Sequence, residues 1–373
     1  MTRSLFRAAL VALAAVAALA GAAAHANARR SASTYLTLPA PTGPHAVGVT
    51  AIRLVDTSRV DAFAPSRRAR ELSVHLWYPA VGGGTARTPY FAPQVAALNA
   101  HELGIPATVF SALSTPARTG ARAEAGRHPV VLFSPGFGAE SALYTLLVED
   151  LASHGYVVVA LDHTYEAPVV FPGGRLVPAT GRVPDGGPSV TTRIGDVRFV
   201  LARLAGLDRR GPLARRLDLG RIGHSQGGAI APPLMLADRR IDAGVDLDGS
   251  LMTNVDLGRP FMLVRALGHT DRLLGATNFR RAQRGPLVTA TFADLQHQGF
   301  TDLMAIVPQL ERHVPGIRKV LPVGKADPGR TVLAERTYVR AFLDTYLRGR
   351  PSPLLRGAPS PFASVQVAVR PAR

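Results

Sequence analysis

The segment Gly223-His224-Ser225-Gln226-Gly227 has the form G-x-S-x-G. Small residues on both sides of a serine let a strand turn sharply into a helix, with the hydroxyl at the apex where it can attack a carbonyl carbon. The pattern alone recurs by chance, but here its surroundings agree with it. Ile222 closes a candidate strand, and Ala229 to Ala237 has the Ala, Leu and Met content of the helix that must follow. A serine hydroxyl is a weak nucleophile until a base takes its proton, so a histidine steered by a carboxylate must stand beside it. On sheets that carry this turn the partners follow in the order serine, acid, histidine. Of the 11 histidines, His269, His297 and His313 come after Ser225. His297, in Leu295-Gln-His-Gln-Gly-Phe-Thr-Asp302, lies just past the last apolar stretch of the central pattern and is the expected base. His269 precedes that stretch and His313 falls in or after a helix, so both are expected to be structural or superficial. Two aspartates follow strand candidates: Asp248, which ends Ala243-Gly-Val-Asp-Leu-Asp248, and Asp271, in Gly268-His-Thr-Asp271. Spacing alone leaves both open as the acid, because a strand-end carboxylate also caps helices and shapes turns.

Attack on a carbonyl builds negative charge on its oxygen, which needs fixed donors. One is expected to be the backbone N–H of Gln226. The other is expected in the Gly-containing turn Ser134-Pro-Gly-Phe-Gly138, with Phe137 as donor. This chemistry requires no metal and no organic cofactor.

The elements that would position these groups alternate in kind. Val47–Val55 and Glu71–Tyr78 have strand character and are expected to pair antiparallel. Pro129–Phe133 and Tyr156–Leu161 are short, continuously apolar strands, separated by a helical stretch from Ala142 to Ala152. Ile194–Leu204 repeats apolar residues at helical spacing, further strands are expected at Ile222, Ala243–Leu247, Pro260–Val264 and Pro286–Phe292, and a last amphipathic helix at Val332–Leu347. Alternation of this kind predicts an α/β fold, with a mainly parallel central sheet covered by helices on both faces. The long connection 91–126 has the place of a lid or substrate-binding insertion. Residues 45–350 are expected to form the catalytic domain, 27–44 a loose start, and 351–373 a Pro-rich, poorly ordered tail apart from a strand candidate at Val365–Val369.

Composition narrows the class. Residues 1–26 combine Arg3 and Arg7, an Ala/Val/Leu run and Ala24-His25-Ala26, the form of a secretory signal peptide cleaved near Ala26. The chain has no cysteine, which excludes a thiol nucleophile, Cys-ligated zinc and disulfides. Its formal charge is +17, or +15 without Arg3 and Arg7. Lys319 and Lys325 are the only lysines and the arginines are scattered. That argues against nucleic acid as a partner and leaves weak association with anionic surfaces.

Several motifs, taken in order, resemble one family. Leu132-Phe-Ser-Pro-Gly-Phe-Gly-Ala139, Leu151-Ala-Ser-His-Gly-Tyr-Val-Val158, the turn at Gly223–Gly228, Val245-Asp-Leu-Asp-Gly249 and His297-Gln-Gly-Phe-Thr-Asp302 resemble the plasma-type platelet-activating factor acetylhydrolases, and above all their bacterial lipase-like relatives. The similarity runs from about Leu72 to Leu310. It implies an α/β-hydrolase fold, Asp248 as the acid with Asp271 in reserve, and Phe137 and Gln226 as oxyanion donors. It also implies hydrolysis of small-molecule or lipid esters, with short acyl groups first among them. Pro135-Gly136 stands where the family often has His-Gly, which changes the pocket wall but keeps the backbone donor. A non-catalytic secreted protein that binds anionic lipid or polymer, and a serine peptidase or amidase, are the rival classes; the first would take no covalent label at Ser225, and the second would cleave chromogenic amides.

Overall fold

A computed structural model describes residues 35–373, except 83, 85, 185, 211–212, 214–216, 226–229, 252 and 269–274; for 219–225 it describes the backbone only. The expected signal peptide, residues 1–26, and residues 27–34 lie outside the described residues.

One sheet organises the chain. Its strands are β1 (Ala46–Val60), β2 (Ala69–Ala80), β3 (Arg87–Pro89), β4 (Ser114–Thr119), β5 (His128–Phe133) and β6 (Val157–Asp162), then β9 (Leu217–Ser225), β10 (Ile241–Leu247), β11 (Phe261–Ala266), β12 (Leu287–Phe292) and β13 (Val365–Arg370). A separate small hairpin pairs β7 (Val169–Val170) with β8 (Leu176–Val177). In space the sheet runs β13-β12-β11-β10-β9-β5-β6-β2-β1-β4-β3. From β6 through β5, β9, β10 and β11 to β12 every pairing is parallel, while β2 joins β6, and β13 joins β12, antiparallel.

The central strands are buried on both faces, which is why they read as unbroken apolar runs. Successive side chains of a strand point to opposite faces. Val131 and Phe133 accordingly join one core, and Val130 and Leu132 the other. Helices α1 (Pro93–Glu102), α2 (Thr108–Ser111), α3 (Thr145–Ser153), α7 (Leu303–Leu310), α8 (Ile317–Val320) and α9 (Pro328–Arg348) close the first core. On the other face lie α4 (Gly187–Arg210), α5 (Ala231–Ala237) and α6 (Ala276–Ala282). Among the described residues no helix is long and apolar enough to cross a membrane.

Both ends are tied more firmly than their composition suggests. Segment 351–373, expected to be poorly ordered apart from a strand candidate at Val365–Val369, also buries Leu355 and Phe362, and the candidate strand is β13, which pairs with β12 over six residues. Proline there opens a single 3-10 turn, Pro353–Leu355, and is compatible with an edge strand reached by a turn. Near the start, the backbone N–H and hydroxyl of Thr42 both donate to Asp150, and Arg336 donates to the carbonyls of Pro39 and Ala40. The connection 91–126 contributes α1, α2 and β4; Val95, Ala96, Val109 and Phe110 are buried in the first core, and β4 runs parallel to β1. Between this connection and the sheet lies a cavity of about 290 Å³, walled by Val49, Trp77, Tyr90, Val95 and Glu140 among others.

Asp302 fastens the loop after β12 to α3. Its carboxylate accepts the Leu146 N–H at 3.2 Å and the Tyr90 hydroxyl at 3.0 Å. Burial pushes this carboxyl up to about 7, despite those hydrogen bonds, and burial likewise raises Glu149 to about 7 and Glu335 well above its ordinary range. The folded chain therefore holds protons that the unfolded chain releases near pH 4, so these groups subtract stability as pH rises from about 4 to about 7. We expect the urea midpoint to fall across that interval, and Asp302→Asn to flatten the slope; an equally steep slope in D302N would contradict this assignment.

Candidate active site

Parallel strands deliver their C-terminal ends to one edge of the sheet, and the loops there meet. Ser225 is the last residue of β9; its backbone is in register with Phe133 of β5 on one side and Val245 of β10 on the other. The Ser134–Gly138 turn thus starts beside Ser225 on one flank, and Asp248 follows three positions after its partner on the other. Gln226 lies outside the described residues, as do Asp271 and His269. His313 lies in the turn after α7, where its N–H donates to Leu310 O at 2.8 Å.

Asp248 and His297 meet. His297 Nδ1 is 2.9 Å from Asp248 Oδ2, and the other oxygen, Oδ1, accepts the Ala266 N–H at 3.0 Å. The Asp248 N–H donates to Val264 O at 2.8 Å, and φ at Asp248 is +56°, in the left-handed region that Asp tolerates better than most residues. That turn rotates the side chain off the strand's alternation and along the sheet edge. The Asp248 side chain is fully buried while 38% of the His297 side chain is exposed, so the ring faces solvent with its carboxylate behind it. With Nδ1 donating to Asp248, a neutral ring leaves Nε2 as the basic atom.

His297 opens a 3-10 turn, His297–Phe300, after β12. Gly299 in that turn has no room for a side chain, because a Cβ would lie 2.5 Å from Val323 O. The glycine of the His-Gln-Gly motif is therefore needed for packing against the 323–324 loop.

Two residues before Asp248, Asp246 has different partners. It is buried, 2.6 Å from the equally buried Arg265, and accepts the Gly249 N–H at 2.9 Å. Burial pushes its carboxyl up, and Arg265 offsets this only in part. The two aspartates thus divide their work: one faces His297, and the other is consumed by an arginine inside the fold.

The Phe137 turn is held by a residue the sequence did not single out. Arg193 of α4 donates to Pro135 O at 2.7 Å and Gly136 O at 3.0 Å, and pairs with Glu166. A second arrangement was also not legible. Ser134 Oγ is 2.8 Å from His163 Nε2, and His163 Nδ1 is 2.9 Å from Asp196 Oδ2. These are triad distances, yet Ser134 and Asp196 are 0% exposed and His163 is 3% exposed, so no substrate reaches the hydroxyl. Burial alone would raise the Asp196 carboxyl; Arg70 and His163 override it and hold it well below the usual carboxylate range. Among the described residues no group of His, Asp and Glu side chains is placed to hold a metal.

Comparison with known proteins bears on the fold and the family. A ferulic acid esterase from Streptomyces cinnamoneus superposes with a TM-score of 0.79 at 36% identity, covering 90% of this chain and 99% of that one. This chain belongs to the α/β-hydrolase esterase family that resembles platelet-activating factor acetylhydrolases. The family model for platelet-activating factor acetylhydrolase, isoform II, matches residues 30–170, which include the Phe137 turn and precede Ser225. A protein of Arthroderma benhamiae described as a probable 1-alkyl-2-acetylglycerophosphocholine esterase is 31% identical over 61% of this chain. The platelet-activating factor acetylhydrolase of Cavia porcellus is 26% identical over 57% of it. These matches span 62% and 56% of the two relatives' own lengths.

The different duties of the two aspartates can be separated. Asp246→Asn strands a buried guanidinium, and we expect it to lower the unfolding free energy by about 3–5 kcal/mol. Urea unfolding of D246N checks this; a change under about 1 kcal/mol would mean that Arg265 is otherwise compensated.

Proposed function

We propose that this α/β-hydrolase is a secreted serine esterase, in which Ser225, His297 and Asp248 act by a two-step acyl transfer. The observation that carries the proposal is the 2.9 Å contact between His297 and Asp248, on the sheet edge where β9 ends in Ser225. In the first step Ser225 Oγ attacks the ester carbonyl while His297 Nε2 takes its proton. Asp248 keeps the ring in the required tautomer and stabilises the cation formed. The Phe137 and Gln226 N–H groups receive the charge that develops on the carbonyl oxygen. His297 then returns the proton to the departing alcohol, and water releases the acyl group by the same route.

Short-acyl esters are the proposed substrates. What supports them is the likeness to an acetylglycerophosphocholine esterase and to platelet-activating factor acetylhydrolases, whose names specify an acetyl group. The ferulic acid esterase likeness adds hydroxycinnamoyl esters to the acyl groups worth comparing. Secretion is proposed from the form of residues 1–26.

A fluorophosphonate should label the protein at Ser225 and nowhere else. An adduct on Ser134 would overturn the choice of nucleophile, and a folded protein that takes no label would favour a binding protein. Ser225→Ala should abolish turnover, and Asp248→Asn should lower kcat by about 10⁴-fold, the effect of a histidine held in the wrong tautomer. Acetyl and butyryl esters should be cleaved faster than long-chain ones. A preference for long chains would remove the short-acyl reading, and faster cleavage of amides than esters would favour a peptidase.

A further inference from the structure

We infer that Arg193 is a positioning residue for ester hydrolysis: it orients the Phe137 N–H and strengthens it as an oxyanion donor. The inference rests on the proposed acyl-transfer reading and assigns Arg193 a role beyond it.

The geometry concerns one peptide group. A trans peptide is planar, with its C=O and N–H on opposite sides, and among the described residues none is cis. The carbonyl of the Gly136–Phe137 peptide is turned to α4, where it accepts from Arg193 Nη2 at 3.0 Å. The Phe137 N–H is therefore turned away from α4. Gly136 is also fixed at its other end, since its N–H donates to the Tyr144 hydroxyl at 3.1 Å. One residue earlier, Pro135 O accepts from Arg193 Nη1 at 2.7 Å. One earlier still, Ser134 is held through His163 to Asp196, a single helical turn beyond Arg193 on the same face of α4. The three residues before the donor are thus each fixed from α4.

Arg193 is itself tightly placed. It is buried, as is its partner Glu166, and the guanidinium fork divides its donors between that carboxylate and the two carbonyls. Glu166 follows Tyr165, whose φ of +76° is unusual for an aromatic residue; the backbone there is strained to bring the carboxylate under the arginine. A charged donor on the Gly136 carbonyl also polarises the same peptide, and so makes its N–H a stronger donor to a developing oxyanion. An arginine can serve both carbonyls and the carboxylate at once because its fork is rigid and planar, which a lysine cannot match.

The test is kcat and KM for a short-chain ester in R193M and R193K, normalised to serines titrated by fluorophosphonate, with the melting temperature measured alongside. Because the donor acts on charge that appears in the transition state, kcat should fall by roughly 10- to 100-fold while KM stays within about threefold. Arg259→Met is the matched control. Arg259 donates to the Ile241 and Asp238 carbonyls at the opposite ends of the strands, so its loss should lower the melting temperature and leave kcat intact. Unchanged kcat in folded R193M overturns the inference; should R193M not fold, unchanged kcat in R193K overturns it equally. If Ser225→Ala keeps its turnover, the underlying reading fails instead, whatever the arginine variants do.

Discussion

Register between parallel strands is the constraint on which this molecule depends. Ser225 is paired with Phe133 and Val245 across ladders whose neighbours lie about 4.8 Å apart. Phe133 and Ser225 end their strands and β10 ends two residues past Val245, so the loops that follow start side by side. A slip of one residue in any ladder would send the apolar side chains of that strand to the wrong core and would carry its loop away from the other two. The two buried cores therefore fix the loop edge as firmly as any contact within it.

Strain is placed on that same edge. The described non-glycine residues with positive φ are Tyr165, Asp248 and Asp294. Each follows the C-terminal end of a parallel strand, β6, β10 or β12 respectively. Each lies close in sequence to a group the site uses: Glu166, Asp248 itself, and His297. Backbone in this region costs of order 1–3 kcal/mol per residue and persists only where the surroundings fix it. Here the surroundings are strands buried on both faces.

The sequence made the local part of this arrangement legible. The run from Pro129 to Phe133, the helix that follows the serine, and the strand that ends just before Asp248 all follow from patterns within a few residues. The contact of Asp248 with His297 was anticipated through the family likeness, since spacing alone had left Asp271 in play. What escaped notice depends on partners far apart in sequence. Arg193 reaches Pro135 across 58 residues, and Arg70 reaches Asp196 across 126. An arginine in an amphipathic helix looks like any solvated one until the fold shows what lies opposite. The tail is legible only in part: the strand candidate at Val365–Val369 is β13, but proline-rich composition cannot show that it meets the open edge of β12. Ser134, His163 and Asp196 carry a complementary lesson. Hydroxyl, imidazole and carboxylate in line make a rigid connector when sealed inside a protein, and become a nucleophilic unit only where a substrate can approach.

The pairing of β13 with β12 has a consequence for how the chain comes together during synthesis. The outer side of β12 receives β13 only after α7, α8 and α9 have been made. Until then the growing polypeptide presents an unpaired, largely apolar edge beside the loop that bears His297. Such an edge invites pairing with neighbouring chains. A nascent chain stalled before Val365 would thus hold most of its core and still be the species most prone to aggregate.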